Sequence, residues 1–202
     1  MTRVVLASRN AKKLVELRRI LDPLVPGVEV LGLDAVASYA EPRETECTFD
    51  GNALIKARAA LAATGLPSLA DDSGLCVDAL NGMPGVLSAR WSGVEKDDRR
   101  NNELLLAQLR DVPDERRTAQ FRCSVAFCAP DSSPVVRSGV MSGRIIRQMR
   151  GEGGFGYDVV FVPDGYDITT AEMDMTLKDE LSHRGKSLRA IAPAVAQELA
   201  RT

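Results

Sequence analysis

Two adjacent carboxylates, Asp71 and Asp72, stand at a predicted strand-to-loop junction in the sequence LADDSGL. Adjacent side chains point in different directions, so the two carboxylates can have different roles. One could bind a metal ion or a water molecule, while backbone hydrogen bonds hold the other. For an isolated Asp-Asp-Ser-Gly sequence, a solvated turn is the commoner structure.

A basic segment, Ser8–Lys13, follows a short predicted strand and begins a predicted helix. Helix N-termini carry partial positive charge and normally attract acidic residues. Here Arg9, Lys12 and Lys13 occupy that position, which is unfavourable unless an anion binds. Backbone N–H groups and cations together favour a phosphate site, although the GxxxxGK[ST] pattern is absent. The alternative is a solvated basic turn.

An acidic stretch precedes the second predicted helix and contains Glu41, Glu44 and Glu46. Carboxylate oxygens are ligands that suit Mg²⁺, although an acidic loop without a metal is the simpler interpretation. On the helix that follows, Asn52 and Lys56 lie four residues apart and therefore share a face. Either side chain could reach a phosphate or be solvated.

Two segments near the C-terminus have residues suited to a nucleotide base. In the loop Arg150–Asp158, four glycines surround Phe155 and Tyr157. Glycines allow close backbone approach, and an aromatic ring can stack on a purine. A flexible loop with one buried aromatic residue is the alternative.

The single histidine, His183, follows Lys178 on a predicted helical turn and is adjacent to Arg184. Arginine is a good donor to purine carbonyl groups and to phosphates. A structural histidine near a helix end is the alternative interpretation.

These residues are positioned by alternating strands and helices, which predict an α/β fold with a mixed sheet in one domain of two lobes, residues 1–202. Ser68–Ala70 is expected to lead into an acidic turn at residues 71–74, and Gly185 is expected to interrupt the last helical region. Pro193 is expected to kink or restart the final helix. The predicted strands are Arg3–Ala7, Val28–Leu33, Leu75–Ala79, Arg122–Ala129, Val135–Val140 and Val159–Val162, and the predicted helices are Ala11–Leu21, Asp50–Ala63, Asp97–Leu109, Thr176–His183 and a final helix that carries residues 188–199.

Composition excludes several classes of protein. The chain has 26 Lys and Arg residues against 28 Asp and Glu residues, a net charge of −2, which gives no indication of a DNA- or membrane-coating surface. Its four cysteines form no CxxC pair and there is one histidine, so the usual zinc patterns are absent and reduced thiols are expected. No signal peptide or membrane span is apparent, which predicts a soluble cytoplasmic protein.

Five motifs occur in an order that resembles the inosine triphosphate pyrophosphatase family. The similarity extends from about residue 3 to the last helix, and Pro84–Gly93 also resembles the family. Five ordered motifs are far more specific than any one of them. The motifs are Ser8–Lys13 (SxNxxK), Phe49–Ala57 (FxxNAxxKA), Ala70–Gly74 (ADDSG), Gly153–Asp158 (GGFGYD) and Ser182–Gly185 (SHRG).

The resemblance implies two α/β lobes around a long mixed sheet, with a nucleotide-binding cleft between them, and a homodimer. It also implies Mg²⁺-dependent hydrolysis of ITP, dITP and XTP to the monophosphate and pyrophosphate. A nucleotide-binding regulator without catalysis is the alternative, as is a different nucleotide hydrolase such as a phosphatase. Neither nucleic acid nor membrane is an expected partner.

Residue by residue, the resemblance implies that Asp72 is the general base and a metal ligand, with Glu44 as the second metal carboxylate. Arg9 departs from the family, which often has a small residue there, and Glu46 lies close enough to compete with Glu44. The implied substrate-binding residues are Ser8, Arg9, Asn10, Ala11, Lys12 and Lys13 for the triphosphate, Ser73 for a further substrate contact, and Phe155, Gly156, Tyr157, Asp158, Lys178, His183 and Arg184 for the base and its neighbouring groups.

Overall fold

The computed structural model describes residues 2–201, apart from the side chains of Thr2 and Lys12. Within these residues, six strands form one sheet in the order β2-β1-β3-β4-β5-β6. β1 runs parallel to β2 and β3, whereas β5 and β6 are antiparallel, so the predicted mixed sheet is confirmed. The strands are β1 Thr2–Leu6, β2 Val28–Leu31, β3 Ser68–Val77, β4 Thr118–Cys128, β5 Val135–Ile145 and β6 Phe161–Pro163.

Helices alternate with the strands in the first half of the chain, as the periodicity predicts. Short 3₁₀ helices occupy Leu33–Ala35, Asp78–Leu80, Gly85–Arg90, Asp114–Arg116 and Asp158–Val160. The α-helices are α1 Ala11–Leu21, α2 Phe49–Thr64, α3 Asp98–Gln108, α4 Met175–Leu181 and α5 His183–Leu199.

The first of two compact units comprises the chain up to Asp72, Cys123–Gly139 and the chain from Arg184 onward. Its helix α2 buries Ala53, Ala57 and Ala60, which are 0% exposed. Spacings of four and three residues put these alanines on one face of α2, and their small side chains allow the helix to approach the sheet closely. They pack with Val5, Ala7, Ala70, Ala126 and Cys128.

The second unit comprises Ser73–Arg122 and Val140–His183. Strands β3, β4 and β5 therefore each contribute residues to both units. The core of this second unit contains Phe121 and Phe161, whose ring centroids are 4.6 Å apart. Leu105 and Leu109 of the α3 region pack into the same cluster and are fully buried.

Two sequence-based expectations are wrong. Strand β3 runs without interruption through Asp71 and Asp72, so the expected acidic turn is absent from this described segment. Aspartate is a poor strand former, but side-chain cations partner both carboxylates in the folded chain, and tertiary contacts override that propensity.

Helix α5 begins at His183 and continues to Leu199 with Gly185 and Pro193 inside it, so the interruption expected at Gly185 is also wrong. Burial outweighs the cost of about 3 kcal/mol for an interior proline. The buried stripe that holds the helix consists of Leu188, Ile191, Val195 and Leu199.

All four cysteines are free thiols, as predicted, and Cys47 alone among them is exposed. Burial raises the pKa of Cys123 to about 12, so this thiol stays protonated at neutral pH. Within residues 2–201, the helices are too short or too polar to cross a membrane.

Arg117 is buried in the second unit, where it bonds to backbone carbonyls and, among the described residues, forms no ion pair. Its Nε donates to the carbonyl of Ile145 (2.8 Å), Nη1 to that of Leu109 (2.6 Å) and Nη2 to that of Ile146 (3.0 Å). Leu109 immediately follows α3, where helix carbonyls lack intrahelical partners and attract a cation. Arg117 therefore fastens the end of α3 to the end of β5.

Replacing Arg117 with methionine should lower the free energy of unfolding by at least about 3 kcal/mol, because three carbonyls lose their donor. Urea denaturation would measure the change. The exposed neighbour Arg116→Met is the matched control and should change stability by less than about 0.5 kcal/mol. Equal losses in the two variants would contradict the assigned role of Arg117.

Candidate active site

The two consecutive carboxylates on β3 have different partners. The Asp71 Oδ2 atom lies 2.9 Å from Lys13 Nζ and 3.4 Å from Arg184 Nε, and the side chain is 2% exposed. Burial alone would raise the pKa of Asp71, but the charges of Lys13, Arg184 and Lys56 outweigh it and hold the pKa well below its ordinary 3.8. Asp71 is therefore ionised at neutral pH and acts as a structural anion.

Arg184 joins this anion to a second one. Its Nη1 lies 2.6 Å from Glu16 Oε2, and the Arg184 side chain is 3% exposed. Burial would lower the pKa of Arg184, but Asp71 and Glu16 raise it, so the guanidinium stays charged. The resulting network links Lys13 and Glu16 of α1 to β3 and to the first turn of α5.

Asp72 belongs to a different group of side chains. Its Oδ2 accepts a hydrogen bond from Asn52 Nδ2 (3.1 Å), and its Oδ1 lies 3.6 Å from Lys56 Nζ. Lys56 Nζ also lies 2.7 Å from Glu44 Oε1. The ammonium group of Lys56 therefore lies beside both carboxylates that the family resemblance predicts as metal ligands.

The pKa of Asp72 is raised, in contrast to that of Asp71. Burial is the largest cause and the charge of Glu44 adds to it, while Lys56, Lys13 and the bond from Asn52 act in the opposite direction. Burial would lower the pKa of Lys56, but the surrounding carboxylates raise it. A carboxylate with a raised pKa beside a fixed ammonium is suited to accept a proton from water.

Helix α2 positions the partners of Asp72. Thr48 caps the helix by accepting from Gly51 N–H (3.1 Å), and Asn52 and Lys56 follow one turn apart on the same face. Asn52 is fully buried; its Oδ1 accepts from Glu46 N–H (3.0 Å) and its Nδ2 donates to the Glu46 carbonyl (3.2 Å). The amide thus fixes the acidic stretch against the start of α2.

A metal ion would find a small donor set here. Among residues 2–201, no group of three or more His, Cys, Asp or Glu side chains is arranged to hold a metal. Glu44 and Asp72 instead provide two carboxylates around Lys56. Mg²⁺ commonly uses one or two carboxylates together with substrate phosphates and waters, so this donor chemistry fits a Mg²⁺–triphosphate complex.

The predicted phosphate segment begins α1, and two of its basic residues, Arg9 and Lys13, have carboxylate partners in this structure. Asn10 caps the helix by accepting from Lys13 N–H (3.2 Å), and Ser8 Oγ accepts from Asn10 N–H (3.3 Å). Arg9 lies 3.0 Å from Glu41, but both side chains are largely exposed, so this pair contributes little. Exposed Ala11 is the first residue of α1, and the predicted role of Lys12 falls on a side chain outside the described ones.

In the second unit, Asp158 organises the glycine-rich loop. Its Oδ2 accepts from Phe155 N–H (2.8 Å) and from Lys178 Nζ (2.6 Å), and its Oδ1 accepts from Thr170 Oγ1 (2.7 Å). A side chain at Gly154 would place its Cβ 2.2 Å from Asp158 Oδ2, at a backbone φ of +73°. Only glycine fits there without strain.

The aromatic residues of this unit differ in exposure. Tyr157 is buried and donates from its hydroxyl to the Ser88 carbonyl (2.9 Å), whereas Phe155 is half-buried with Lys178 Nζ 5.7 Å from its ring centre. The His183 ring stacks on Phe121 with centroids 4.9 Å apart. Phe155 is therefore better placed than Tyr157 to meet a flat ligand.

Sequence reasoning placed several of these residues in a site without finding their partners. In the first unit, Lys13 and Arg184 pair with Asp71, and Glu44 and Asp72 lie on either side of Lys56. The second unit brings together Phe155, Asp158 and Lys178. Ser73 follows Asp72 on β3 and is half-buried. Glu16 was missed entirely, although an acidic residue three positions after Lys13 on the same helical face was a usable signal.

The mixed sheet, the paired carboxylates and the glycine-rich aromatic loop define an α/β protein with a candidate active site. A family model described as the Ham1 family matches residues 4–194. The chain therefore belongs to the Ham1 family, and the family resemblance predicted from the five motifs is confirmed.

Individual relatives support the same assignment over the full length. The chain is 60% identical to a dITP/XTP pyrophosphatase of Nocardia farcinica, covering 100% of this chain and 98% of that protein. A crystal structure of a nucleoside-triphosphatase / dITP/XTP pyrophosphatase from Mycobacterium abscessus is 52% identical with a TM-score of 0.79, covering 95% of this chain and 100% of that one. A HAM1 protein from Coxiella burnetii is 38% identical with a TM-score of 0.88, covering 98% and 100%.

Replacing Asp71 with asparagine should destabilise the protein by about 3 kcal/mol at pH 7, because half-buried Lys13 and buried Arg184 lose a counter-ion. The lowered pKa of Asp71 gives the sign of the pH dependence: its stabilisation is present above the ordinary value of 3.8 and is lost as pH falls below that value. The difference in unfolding free energy between wild type and Asp71→Asn should therefore become smaller as the pH falls below 3.8.

Urea denaturation from pH 7 to pH 3 without added metal would test this expectation. Asp164→Asn, at an exposed position, is the matched control and should follow the wild-type curve throughout. A gap for Asp71→Asn that stays constant or widens below pH 4 would contradict the assigned electrostatics.

Proposed function

We propose that this chain hydrolyses the non-standard purine nucleotides ITP, dITP and XTP to the monophosphate and pyrophosphate. The proposal rests mainly on the surroundings of Asp72: its carboxylate is buried, its pKa is raised, and it lies beside Lys56, which also pairs with Glu44. The names of full-length relatives support this substrate class.

The triphosphate is held, in this proposal, by the Ser8–Lys13 segment at the start of α1. Helix N-termini bind phosphate through backbone N–H groups, and Lys12 and Lys13 add positive charge. Lys13 already compensates Asp71, so it would share its ammonium between that carboxylate and the ligand. Glu44 and Asp72 would hold Mg²⁺, which when bound neutralises charge on phosphate oxygens.

Asp72 accepts the proton of the attacking water in the proposed mechanism. The water oxygen bonds to the α-phosphorus, the bond from that phosphorus to the bridging oxygen breaks, and pyrophosphate leaves. Asn52 donates to Oδ2 of Asp72 and fixes the carboxylate, while Lys56 stays protonated and contributes positive charge. Positioning and electrostatic stabilisation supply much of the rate in such displacements.

The base is proposed to contact the second cluster. Phe155 would stack on the purine, with Tyr157, Asp158 and Lys178 supporting the loop. Ser73 and Gly156 are proposed as further substrate contacts.

In this proposal, the enzyme discriminates between purine nucleotides by the group at the 6-position of the base. A donor from His183 or Arg184 suits the 6-carbonyl of inosine and xanthosine and meets another donor, the amino group, in adenosine. A buried donor without an acceptor is costly, which disfavours ATP. The ion pairs of Arg184 with Glu16 and Asp71 would fix the orientation of its guanidinium. GTP also carries a 6-carbonyl and must be discriminated at its 2-position.

Several expectations remain predictions. These are the central nucleotide-binding cleft, the homodimer, the cytoplasmic location, the specificity for Mg²⁺ and the lack of nucleic-acid and membrane partners.

The purified chain with Mg²⁺ should release pyrophosphate from dITP or XTP much faster than from ATP or GTP. Coupled detection of pyrophosphate and, separately, of orthophosphate would measure this. Orthophosphate as the first product would indicate a phosphatase instead. Binding of XTP without turnover would favour a regulator.

Replacing Asp72 with asparagine should lower kcat roughly 100-fold or more, because asparagine cannot accept the proton from water. Steady-state pyrophosphate release would be measured together with the unfolding free energy, which should stay close to that of wild type. Asp164→Asn, with the same chemical change on an exposed surface, should keep wild-type kcat. Full activity in Asp72→Asn would remove this residue from the general-base role.

A further inference from the structure

The first turns of helix α3 hold the backbone of Gly156 on both its polar groups. Asp98 Oδ2 accepts from Gly156 N–H (2.8 Å), and Asn102 Nδ2 donates to the Gly156 carbonyl (2.8 Å). The two side chains lie four residues apart and therefore on one face of α3. Gly156 is thus both a hydrogen-bond donor and a hydrogen-bond acceptor to α3, a helix that is distant from it in sequence.

The orientation of the Asn102 amide is fixed by its partners. Its Nδ2 donates to the Asp98 carbonyl (2.8 Å) as well as to that of Gly156. Both partners are acceptors, so the reversed amide would face oxygen with oxygen. The Oδ1 atom, in contrast, is buried and has no hydrogen-bond partner among the described residues.

A buried acceptor without a donor costs free energy, and an apolar residue of similar volume would avoid that cost. Asn102 is only 1% exposed, so bulk solvent does not reach this oxygen. A purely space-filling role therefore does not explain asparagine at this position. The hydrogen bond from its amide to the Gly156 carbonyl does explain it.

Gly156 lies between two residues that are themselves fastened. Phe155 N–H is held by Asp158, and the Tyr157 hydroxyl is held by the Ser88 carbonyl. The two bonds from Asp98 and Asn102 to Gly156, here called the α3 clamp, mean that three consecutive loop residues are each held by hydrogen bonds. Together they fix the backbone that carries the half-buried ring of Phe155.

We propose that Asp98 and Asn102 are positioning residues that set the base-binding loop at Gly156, which rests on the proposed function of that loop. In this proposal they act through the backbone of Gly156 and not by contact with the substrate. Losing the clamp should weaken binding of the base while leaving the chemistry at the phosphates nearly unchanged.

Asn102→Leu should raise KM for XTP about tenfold and change kcat less than about twofold, because the loop must be ordered during binding. The matched control is Asn101→Leu on the same helix. Asn101 is similarly buried but bonds to Ala89 and Ser92, not to Gly156. The control should lose at least as much stability yet keep wild-type KM.

Amide hydrogen exchange at Gly156 gives a readout that needs no substrate. Asp98→Ala should speed exchange of this amide about tenfold or more, and Asp98→Asn, which keeps an acceptor, should restore most of the protection. Equal exchange in wild type and Asp98→Ala would overturn the clamp, as would an equal rise in KM for Asn102→Leu and Asn101→Leu. A wild-type protein that hydrolyses no XTP would instead overturn the proposed function, while the exchange result would still decide whether the clamp exists.

Discussion

Consecutive residues of a β-strand point to opposite faces, and this constraint lets β3 place two neighbouring carboxylates in opposite electrostatic surroundings. Burial would raise the pKa of both groups, but the charges of Lys13 and Arg184 outweigh it at Asp71 and lower that pKa. At Asp72, burial together with the charge of Glu44 outweighs Lys56, and the pKa is raised. One carboxylate is thereby an anchor and the other a candidate base. In a flexible turn, the two side chains would share one environment and lose this difference.

The anchor ties together elements that are far apart in sequence. Through Asp71, helix α1 and helix α5 both attach to β3, and Glu16 closes the network on Arg184. Breaking one member would leave a buried charge without its partner, which is costly even where the intact pair adds little net stability. The same geometry leaves α2 to supply the partners of Asp72.

Much of this arrangement was predictable from residue patterns. The alternation of elements predicted an α/β fold with a mixed sheet, and the five ordered motifs predicted the family. The carboxylate pair, the acidic stretch around Glu44 and the glycine-rich loop were candidates by residue type, and only their combination and order along the chain made the prediction specific. Local residue propensities predicted a turn at residues 71–74, but β3 continues through them. Ion pairs with lysine and arginine residues distant in sequence stabilise the strand there.

The partners of the site residues could not be predicted, because they depend on tertiary contacts. Nothing in the spacing of Asn102 and Gly156, 54 positions apart, indicates their hydrogen bond. Tyr157 resembled a stacking residue in sequence but is buried with its hydroxyl on Ser88. Sequence patterns identify residues whose side chains could take part in catalysis or binding. Burial and hydrogen-bond partners in the folded chain determine which of those side chains are available to do so.

In the proposed mechanism, a water molecule attacks the α-phosphorus and pyrophosphate is the leaving group. Hydrolysis of XTP in ¹⁸O-labelled water, followed by mass spectrometry of both products, tests it most directly. The account predicts one ¹⁸O atom in the monophosphate and none in the pyrophosphate. Label in the pyrophosphate would show attack at the β-phosphorus and would contradict it.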